Sequence, residues 1–351
     1  MFGFEPVVQL PAELPGALGA LARWDAASFA PELSPENARA CWDMALRCAA
    51  LANVSAPVAG KAPGRVLIIA SANVFTAPLE WAWQLTSRGV GVILKPARAQ
   101  EAVCRALAEE MPDVEVRAWK GGNDLAAETA TLGEVHGVIA FGEDETLAAL
   151  SGRIPDNLPF CAFGAKFAVA VVDALDATNA DALAMDAALY DGRGCMSPIA
   201  VFARTMDRSA LADALERAET RWPRGTLSGS EGVRLRSGRL LGRSNETCRF
   251  EPIENERYAA FALPAAALGS GGGPRQLVVH PWEEPTDVAN ALRPFGGALG
   301  TMGTTHALAA ELSPMLDGAR RWCSVGKMQM PPGNRPTHDG VAVLSRLWGA
   351  R

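Results

Sequence analysis

One cysteine of the sequence, Cys195, lies in a segment whose composition suits a reactive thiol. The segment DGRGCMSP (191–198) has glycines before the cysteine and Ser197 and Pro198 after it, between a predicted helix and a predicted strand. Backbone N–H groups of a glycine-rich turn can lower the pKa of an exposed thiol, and the thiolate is the nucleophilic form. An isolated cysteine is more often a small buried hydrophobe, so the segment alone leaves both interpretations open.

Two polar residues follow consecutive predicted strands. Asn73 comes shortly after the strand RVLIIAS (65–71), and Lys95 directly follows the strand VGVIL (90–94). Ligands of parallel sheets bind at the carboxyl ends of the strands. At such an end the Asn73 amide can donate to a developing oxyanion, whereas a turn-forming asparagine and a solvated lysine are the alternative interpretations.

Two series of strands and helices must position these residues. In the first series, apolar runs at 65–71, 90–94, 114–118 and 137–141 alternate with helical segments near 77–88, 99–110 and 143–150. The second series has strands at 167–174, 198–203, 275–280 and 297–303 and helices near 177–190, 207–221 and 284–293. This alternation predicts an α/β protein with two doubly wound parallel-sheet domains.

The predicted domains have definite boundaries. The first domain covers residues 1–166, with an irregular arm over 1–33 and a helix of about four turns that begins at Ser34-Pro35. The second covers 167–328, and a C-terminal tail (329–351) returns to the first domain. We expect the Gly/Ser-rich pieces at 228–232 and 269–274 to be surface loops.

Composition excludes several classes of function. The 351 residues are 49% apolar and 21% charged, which is enough for two cores, and the net charge of −6 without a basic cluster argues against nucleic acid or anionic membranes as partners. Seven cysteines without a CxxC pair indicate neither a disulfide framework nor a zinc site, which favours the cytoplasm. The four scattered histidines predict no metal site. We expect no membrane span, since no apolar stretch approaches about 18 residues.

The first predicted strand is not followed by the GxGxxG phosphate turn. Residues 65–99 instead resemble the aldehyde dehydrogenase superfamily, whose members lack this turn and place an Asn after the first strand and Lys-Pro after the second. GVIAFGEDETL (137–147) is similar to the family's fourth-strand turn. CAFGAKFAVAVVD (161–173) resembles its ELGGK segment, with Ala162 where the family has a general-base Glu, and Cys195 follows Ala162 by 33 positions, close to the family's separation of base and nucleophile.

Within the superfamily, the sequence is most similar to the LuxC-type long-chain acyl-CoA reductases. The similarity lies in the Asn-Val turn at 73–74, FGEDE (141–145), CMSP (195–198) and VGKMQMPPGNRPTHDG (325–340). Three features depart from the family, the first of which is that the chain is shorter than typical members. Glu143 stands where a Ser is frequent, and the Glu-Ile-Phe-Gly-Pro cofactor contact is not found.

The resemblance implies that the protein reduces a fatty acyl-CoA, or another acyl thioester, to an aldehyde with NAD(P)H through a Cys195 acyl-enzyme. It implies that Asn73 and the Cys195 backbone N–H hold the oxyanion. It assigns the nicotinamide cofactor to Ser71, Ala72, Lys95, Arg98, Gly142 and Glu143. Arg98 favours NADPH over NADH, because NAD-favouring relatives often carry Glu there and a guanidinium attracts a 2′-phosphate.

The expected partners are an acyl-CoA or acyl-carrier substrate, an acyl-activating synthetase and, by analogy, further copies of the chain.

Two alternatives stay open: an aldehyde or semialdehyde dehydrogenase, against which Ala162 argues, and a catalytically silent binding subunit, which Glu143 would suit. We interpret His338-Asp339 as a satisfied loop pair outside the site, with mutual orientation of the two side chains near the active site as the lesser alternative. Trp81 and Trp83 are expected to pack against the sheet, with contact to an acyl chain as the lesser alternative.

Overall fold

The computed structural model describes residues 4–5, 9–52, 58–120, 124–244, 251–265, 268, 273–316, 321–331 and 337–349. The chain divides into two compact units. The five-stranded unit comprises residues 9–30, 41–165 and 331–351, and the seven-stranded unit comprises residues 1–8, 31–40 and 166–330.

The five-stranded unit contains a parallel sheet with the strand order β3-β2-β1-β4-β5. Its strands are Arg65–Ile69 (β1), Gly91–Lys95 (β2), Val114–Val116 (β3), Val138–Phe141 (β4) and Phe160–Phe163 (β5). The order reverses between β1 and β4, and such a switch point opens a crevice at the carboxyl ends of the strands. The residues that follow β1 and β4 therefore flank the place where a ligand of this sheet would bind.

The seven-stranded unit contains a sheet with the order β12-β11-β6-β7-β10-β9-β8, in which only the β8–β9 pair is antiparallel. Its strands are Phe167–Leu175 (β6), Pro198–Met206 (β7), Ile253–Glu254 (β8), Ala259–Ala262 (β9), Gln276–Pro281 (β10), Leu299–Gly303 (β11) and Arg321–Cys323 (β12). Both faces are covered: Ala168 and Ala170 of β6 belong to one apolar core, and Val169 and Val171 belong to the other. This explains why β6 is apolar without alternation.

Twelve α-helices lie in the described part of the chain. They are Gly16–Leu21 (α1), Pro35–Ala50 (α2), Ala77–Thr86 (α3), Glu101–Glu110 (α4), Leu125–Leu132 (α5), Asp144–Ser151 (α6), Ala177–Ala188 (α7), Arg208–Arg221 (α8), Gly229–Ser244 (α9), Pro285–Leu292 (α10), His306–Leu312 (α11) and Val343–Leu347 (α12). The predicted start of α2 is confirmed, because the Ser34 hydroxyl accepts the N–H of Asn37 at 3.2 Å. None of the described helices is both long and apolar enough to cross a membrane.

The prediction of irregular structure is wrong for two segments, because each contains helical residues. The arm over residues 1–33 contains α1, and the 228–232 loop is the beginning of α9. The Ser228 hydroxyl accepts the N–H of Glu231 at 3.3 Å, and the Glu231 carboxylate accepts the N–H of Ser228 at 2.8 Å. This reciprocal capping is the Ser-x-x-Glu signature of a helix start, so the signal was present in the sequence. Most of the second predicted loop, residues 269–272, lies outside the described residues.

The predicted first domain, 1–166, differs from the observed grouping in two segments. Residues 1–8 and 31–40 belong to the seven-stranded unit. The Asn37 amide donates to the carbonyl oxygen of Ala188 at 2.9 Å, and Glu5 pairs with Arg321 at 2.8 Å. These partners are distant in sequence, so no local pattern predicts the pairing. The division after residue 165 lies one residue from the predicted boundary.

Candidate active site

Cys195 lies in a tight turn directly before β7. The Ser197 N–H donates to the carbonyl oxygen of Gly194 at 2.9 Å, which closes a turn with Cys195 and Met196 at its centre. Cys195 is exposed there. The turn is at the amino end of β7 rather than at a carboxyl end, so the general rule for ligand sites in parallel sheets would not have located it.

The other described cysteines are unsuited to nucleophilic chemistry. They are buried: Cys41, Cys48, Cys104, Cys161 and Cys323. Burial raises the pKa of Cys104 and of Cys323 to about 12 and the pKa of Cys161 to about 11, which keeps these thiols protonated at neutral pH. Cys248 lies outside the described residues. Among the cysteines that the structure describes, exposure therefore singles out Cys195.

A buried carboxylate anchors the chain on the amino-terminal side of the turn. Tyr190, Asp191 and Gly192 are all in the left-handed region, with φ of 56°, 54° and 72°. Asp191 is fully buried, and its carboxylate accepts hydrogen bonds from four donors: Asn37 Nδ2 (3.0 Å), Arg193 Nη1 (3.1 Å), Arg275 Nε (2.9 Å) and the Gly225 N–H (3.0 Å). These bonds stabilise a backbone path that is unfavourable for non-glycine residues.

Side chains from distant segments hold the other end of the turn. The Gln329 amide donates to the Ser197 hydroxyl at 2.7 Å and to the Asp186 carbonyl oxygen at 2.9 Å, and Arg321 Nη1 lies 3.4 Å from Met196 Sδ.

Burial raises the pKa of the Asp186 carboxyl group to about 7, although N–H bonds from Gly326 and Met328 lower it. No local sequence pattern predicts these contacts, although the 325–340 run is similar to LuxC-type reductases.

The residues predicted to bind the cofactor lie in the five-stranded unit, at the carboxyl ends of its strands. Ser71 is half-buried after β1, and Ala72 and Asn73 are exposed in the bend that follows. Gln100 fixes this bend, because its buried amide donates to the Ala72 carbonyl oxygen at 3.2 Å. Gln100 was not predicted, since nothing in its local sequence points to β1.

Two cationic residues, Lys95 and Arg98, lie at and just after the end of β2. Lys95 is its last residue, and its Nζ lies 6.0 Å from the ring centre of Trp119. Burial lowers the pKa of Lys95, and the charge of Glu128 opposes this effect. Arg98 is exposed and begins a short 3₁₀ turn, Arg98–Gln100. The end of β2 thus offers one half-buried and one exposed cation, which suits the ribose and phosphate groups of a dinucleotide.

The start of α6 fits a dinucleotide less well. The Gly142 N–H donates to the carbonyl oxygen of Phe163 at 3.2 Å, and Glu143 is the residue that precedes the helix. Asp144 and Glu145 occupy the first turn, and Asp144 accepts the N–H of Ala165 at 3.1 Å. Three carboxylates surround a helix N-terminus that would otherwise attract a pyrophosphate. The fit to a nicotinamide dinucleotide is therefore good at the end of β2 and poor at this helix.

Ala162 and His338 occupy two further positions of the same unit. Ala162 is exposed on β5, in register with Ala140 of β4. His338 and Val341 exchange backbone hydrogen bonds across a tight turn, and the His338 ring lies 4.3 Å from that of Phe163 and 5.6 Å from that of Phe141. His338 is thus part of an aromatic cluster beside the ends of β4 and β5.

Trp81 is buried on α3. Its ring contacts the His338 ring edge-on, with 6.0 Å between the two ring centres. Among the described residues, no group of three or more His, Cys, Asp or Glu side chains is placed to hold a metal ion.

Comparison with known proteins identifies the family. The sequence profile of the acyl-CoA reductase family LuxC matches residues 61–350. The chain belongs to the LuxC family. The predicted family resemblance is thereby confirmed, and membership supports an oxidoreductase that acts on aldehyde or acyl groups. No curated protein sequence is significantly similar to this LuxC-family chain.

Solved structures confirm the predicted fold class. An aldehyde dehydrogenase from Brucella melitensis biovar abortus matches with a TM-score of 0.66 at 13% identity, over 88% of this chain and 75% of that one. An NAD-dependent aldehyde dehydrogenase from Burkholderia multivorans matches with a TM-score of 0.59 at 15% identity, over 94% of this chain and 72% of that one. At these identities the similarity shows the aldehyde dehydrogenase fold and not a shared substrate.

Proposed function

We propose that this LuxC-family protein reduces acyl thioesters, fatty acyl-CoA among them, to aldehydes through an acyl-enzyme on Cys195. The observation that carries the proposal is the exposure of Cys195 in a turn that is fixed on both sides, while the other described cysteines are buried. Exposure lets a substrate reach the thiol, and a fixed turn holds the thiol and its neighbouring N–H groups in one geometry.

The first step is acyl transfer. The Cys195 thiolate attacks the thioester carbonyl carbon, a new carbon–sulfur bond forms, and the bond to the CoA sulfur breaks. The departing CoA thiolate takes up a proton from solvent. The negative charge on the carbonyl oxygen is greatest between these events, and we assign its stabilisation to the Cys195 backbone N–H. Asn73 is the proposed second donor, on the strength of the family resemblance.

We assign the nicotinamide cofactor to residues that follow β1 and β2. When bound, it would supply the hydride that reduces the acyl group to the aldehyde. The bond between the acyl carbon and Cys195 Sγ breaks in this step, and the Cys195 thiolate is regenerated. We assign the ribose hydroxyls to Lys95 and a 2′-phosphate to Arg98, and this assignment would favour NADPH over NADH. It is supported by the position of both cations at the end of β2. For Gly142 and Glu143 we retain only a backbone contribution, because the carboxylates at the start of α6 repel a pyrophosphate.

Intact-mass spectrometry after mixing with acyl-CoAs of graded chain length tests the proposal. We expect the protein to gain one acyl mass, with the yield reporting the preferred length. Cys104→Ala should gain the same mass, since Cys104 is buried, whereas Cys195→Ala should gain none. An adduct that persists in Cys195→Ala would show that another nucleophile reacts and would overturn the assignment.

A silent binding subunit is the second candidate, because Glu143, Asp144 and Glu145 disfavour a dinucleotide at α6. Titration with NADPH, followed by tryptophan fluorescence, separates the two candidates. The reductase predicts saturable quenching, and Trp119 beside Lys95 is a suitable reporter. Absence of quenching at millimolar NADPH would favour the silent subunit.

A further inference from the structure

A second turn lies against the nucleophile turn, and one amide side chain joins them. Gln329 Nε2 donates to the Ser197 hydroxyl oxygen and to the Asp186 carbonyl oxygen, at 2.7 and 2.9 Å. A carbonyl oxygen can only accept, so the nitrogen end of the amide must face these partners. Gln329 is 2% exposed, and such a buried amide is costly to leave without its partners.

The segment that carries Gln329 is itself fixed by two buried ionisable side chains, those of Asp186 and Arg321. The Asp186 carboxylate accepts the N–H groups of Gly326 and Met328. The Arg321 guanidinium donates to the carbonyl oxygens of Lys327 (3.0 Å) and Met328. Gly326 has a φ of +82°, and a Cβ there would lie 3.0 Å from the Ala182 side chain, so only glycine suits the position. The segment therefore has little freedom to move.

The hydrogen bond from Gln329 to Ser197 restrains the turn that carries Cys195, because Gln329 lies in this rigid segment. Ser197 closes the turn around Cys195 through its N–H bond to Gly194. A shift of Ser197 would rotate the peptide groups of the turn, and these groups stabilise the Cys195 thiolate and the oxyanion in the proposed reaction. A displacement of about 1 Å in such a group can slow a reaction by up to about 100-fold.

We propose that Gln329 is a positioning residue for Cys195: its amide joins the rigid Gly326–Gln329 segment to Ser197 and fixes the turn that presents the thiol. The inference rests on the proposed function in assigning Cys195 a reaction. The reactivity of the thiol can nevertheless be measured without any acyl substrate.

Alkylation of Cys195 by iodoacetamide, followed by mass spectrometry of its peptide over a range of pH, tests the inference. Gln329→Met keeps the size of the side chain and removes both bonds, and we expect it to slow alkylation at neutral pH on the order of tenfold and to move the pH midpoint upward. Gln276→Met is the matched control. Gln276 is also buried in the seven-stranded unit, but its amide bonds to the Leu235 carbonyl oxygen of α9 at 2.8 Å. The control should lose stability without a change in Cys195 alkylation.

Ser197→Ala provides an independent arm, since it removes only the acceptor. If the Gln329–Ser197 bond carries the effect, Ser197→Ala should slow alkylation similarly, and the double variant should be no slower than Gln329→Met. Additive effects, or equal slowing in Gln276→Met, would overturn the inference. If alkylation responds as expected while the unaltered protein takes no acyl group from acyl-CoA, the positioning role stands and the proposed function fails.

Discussion

Asp191 and Arg275 form a buried ion pair with 2.8 Å between Asp191 Oδ1 and Arg275 Nη2, and both residues have left-handed backbones, with φ of 54° and 61°. Their side chains are 0% and 4% exposed. The pair joins the segment just before Cys195 to the residue just before β10. The turn that carries Cys195 is therefore held on this side by charge and on the other by the Gln329 amide.

We predict that Asp191→Asn is destabilising, because it removes the fully buried counter-charge that Arg275 and Arg193 share. Each guanidinium keeps one carboxylate partner nearer the surface, Glu219 for Arg275 and Glu231 for Arg193. The expected loss in the free energy of unfolding is about 2–3 kcal/mol, measured by urea denaturation. Asp181→Asn is the matched control. Asp181 pairs with Arg217 at a similar distance, 2.7 Å, but both side chains are 56% exposed, so its loss should be under about 1 kcal/mol. Equal losses would contradict the importance of burial.

The sequence predicted the parts of the fold that local patterns encode. The strands β1, β2, β4, β6, β7 and β10 are continuous apolar runs, and each was predicted to within a few residues. The strands β8 and β12 have only two and three residues, which is too short to show a periodic pattern in the sequence. They are recognised as strands by their pairing with β9 and β11. The helix α9 was missed although Ser228 and Glu231 form a recognisable cap.

The same distinction applies to the site. Cys195 was selected because its position, 33 residues after Ala162, resembles that of the nucleophile in the aldehyde dehydrogenase superfamily, whereas the glycines beside it left both interpretations open. The groups that hold the turn come from far along the chain: Gly326 is 140 residues from Asp186, and Glu5 is 316 residues from Arg321. Only the tertiary structure brings these partners together, and a single sequence contains no signal for such pairs.

The second prediction concerns Arg98. Because an exposed guanidinium at the end of β2 attracts a 2′-phosphate, Arg98→Glu should raise KM for NADPH about tenfold or more and leave KM for NADH nearly unchanged. Arg105→Glu is the control, since Arg105 is also exposed but lies on α4, where it pairs with Glu101. A KM that is equal for both cofactors in the unaltered protein, or unchanged selectivity in Arg98→Glu, would contradict the role of Arg98.

The third prediction follows from Asp186, whose pKa burial raises to about 7 against the opposing effects of the Gly326 and Met328 N–H bonds and the charge of Arg321. An unfolded Asp has a pKa of about 3.9. Between these values the folded protein binds a proton that the unfolded chain has lost. Stability should therefore fall as pH rises from about 4 to about 7 and stay level, as far as this group is concerned, above that range.

Asp186→Asn does not titrate, so the comparison isolates this group from others that change with pH. From pH 5 to pH 8, the unfolding free energy of the unaltered protein should fall by about 2–3 kcal/mol more than that of the variant. Urea denaturation at the two pH values measures both. Parallel pH profiles would show that Asp186 stays ionised in the folded protein throughout.

The last prediction concerns Ala162 and the fate of the acyl-enzyme. Water is a poor nucleophile at neutral pH, and a positioned general base typically accelerates its attack by about 10² to 10⁴. The methyl group of Ala162, exposed on β5, cannot accept a proton. The proposed acyl thioester on Cys195 should therefore survive for minutes or longer without cofactor and give aldehyde promptly when NADPH is added. Persistence suits a reductase, because hydrolysis would destroy the activated acyl group before the hydride arrives.

Ala162→Glu should restore the base, and Ala162→Gln separates basicity from size, since the two side chains have nearly the same shape. We expect Ala162→Glu to release free fatty acid from the acyl-enzyme at least about tenfold faster than the unaltered protein, and Ala162→Gln to show no gain. Glu143 and Glu145 are two carboxylates that could activate water instead, and both are exposed at the start of α6. Rapid release of fatty acid by the unaltered protein would mean that one of them already acts as the base. The reductase assignment would then give way to a hydrolytic aldehyde dehydrogenase.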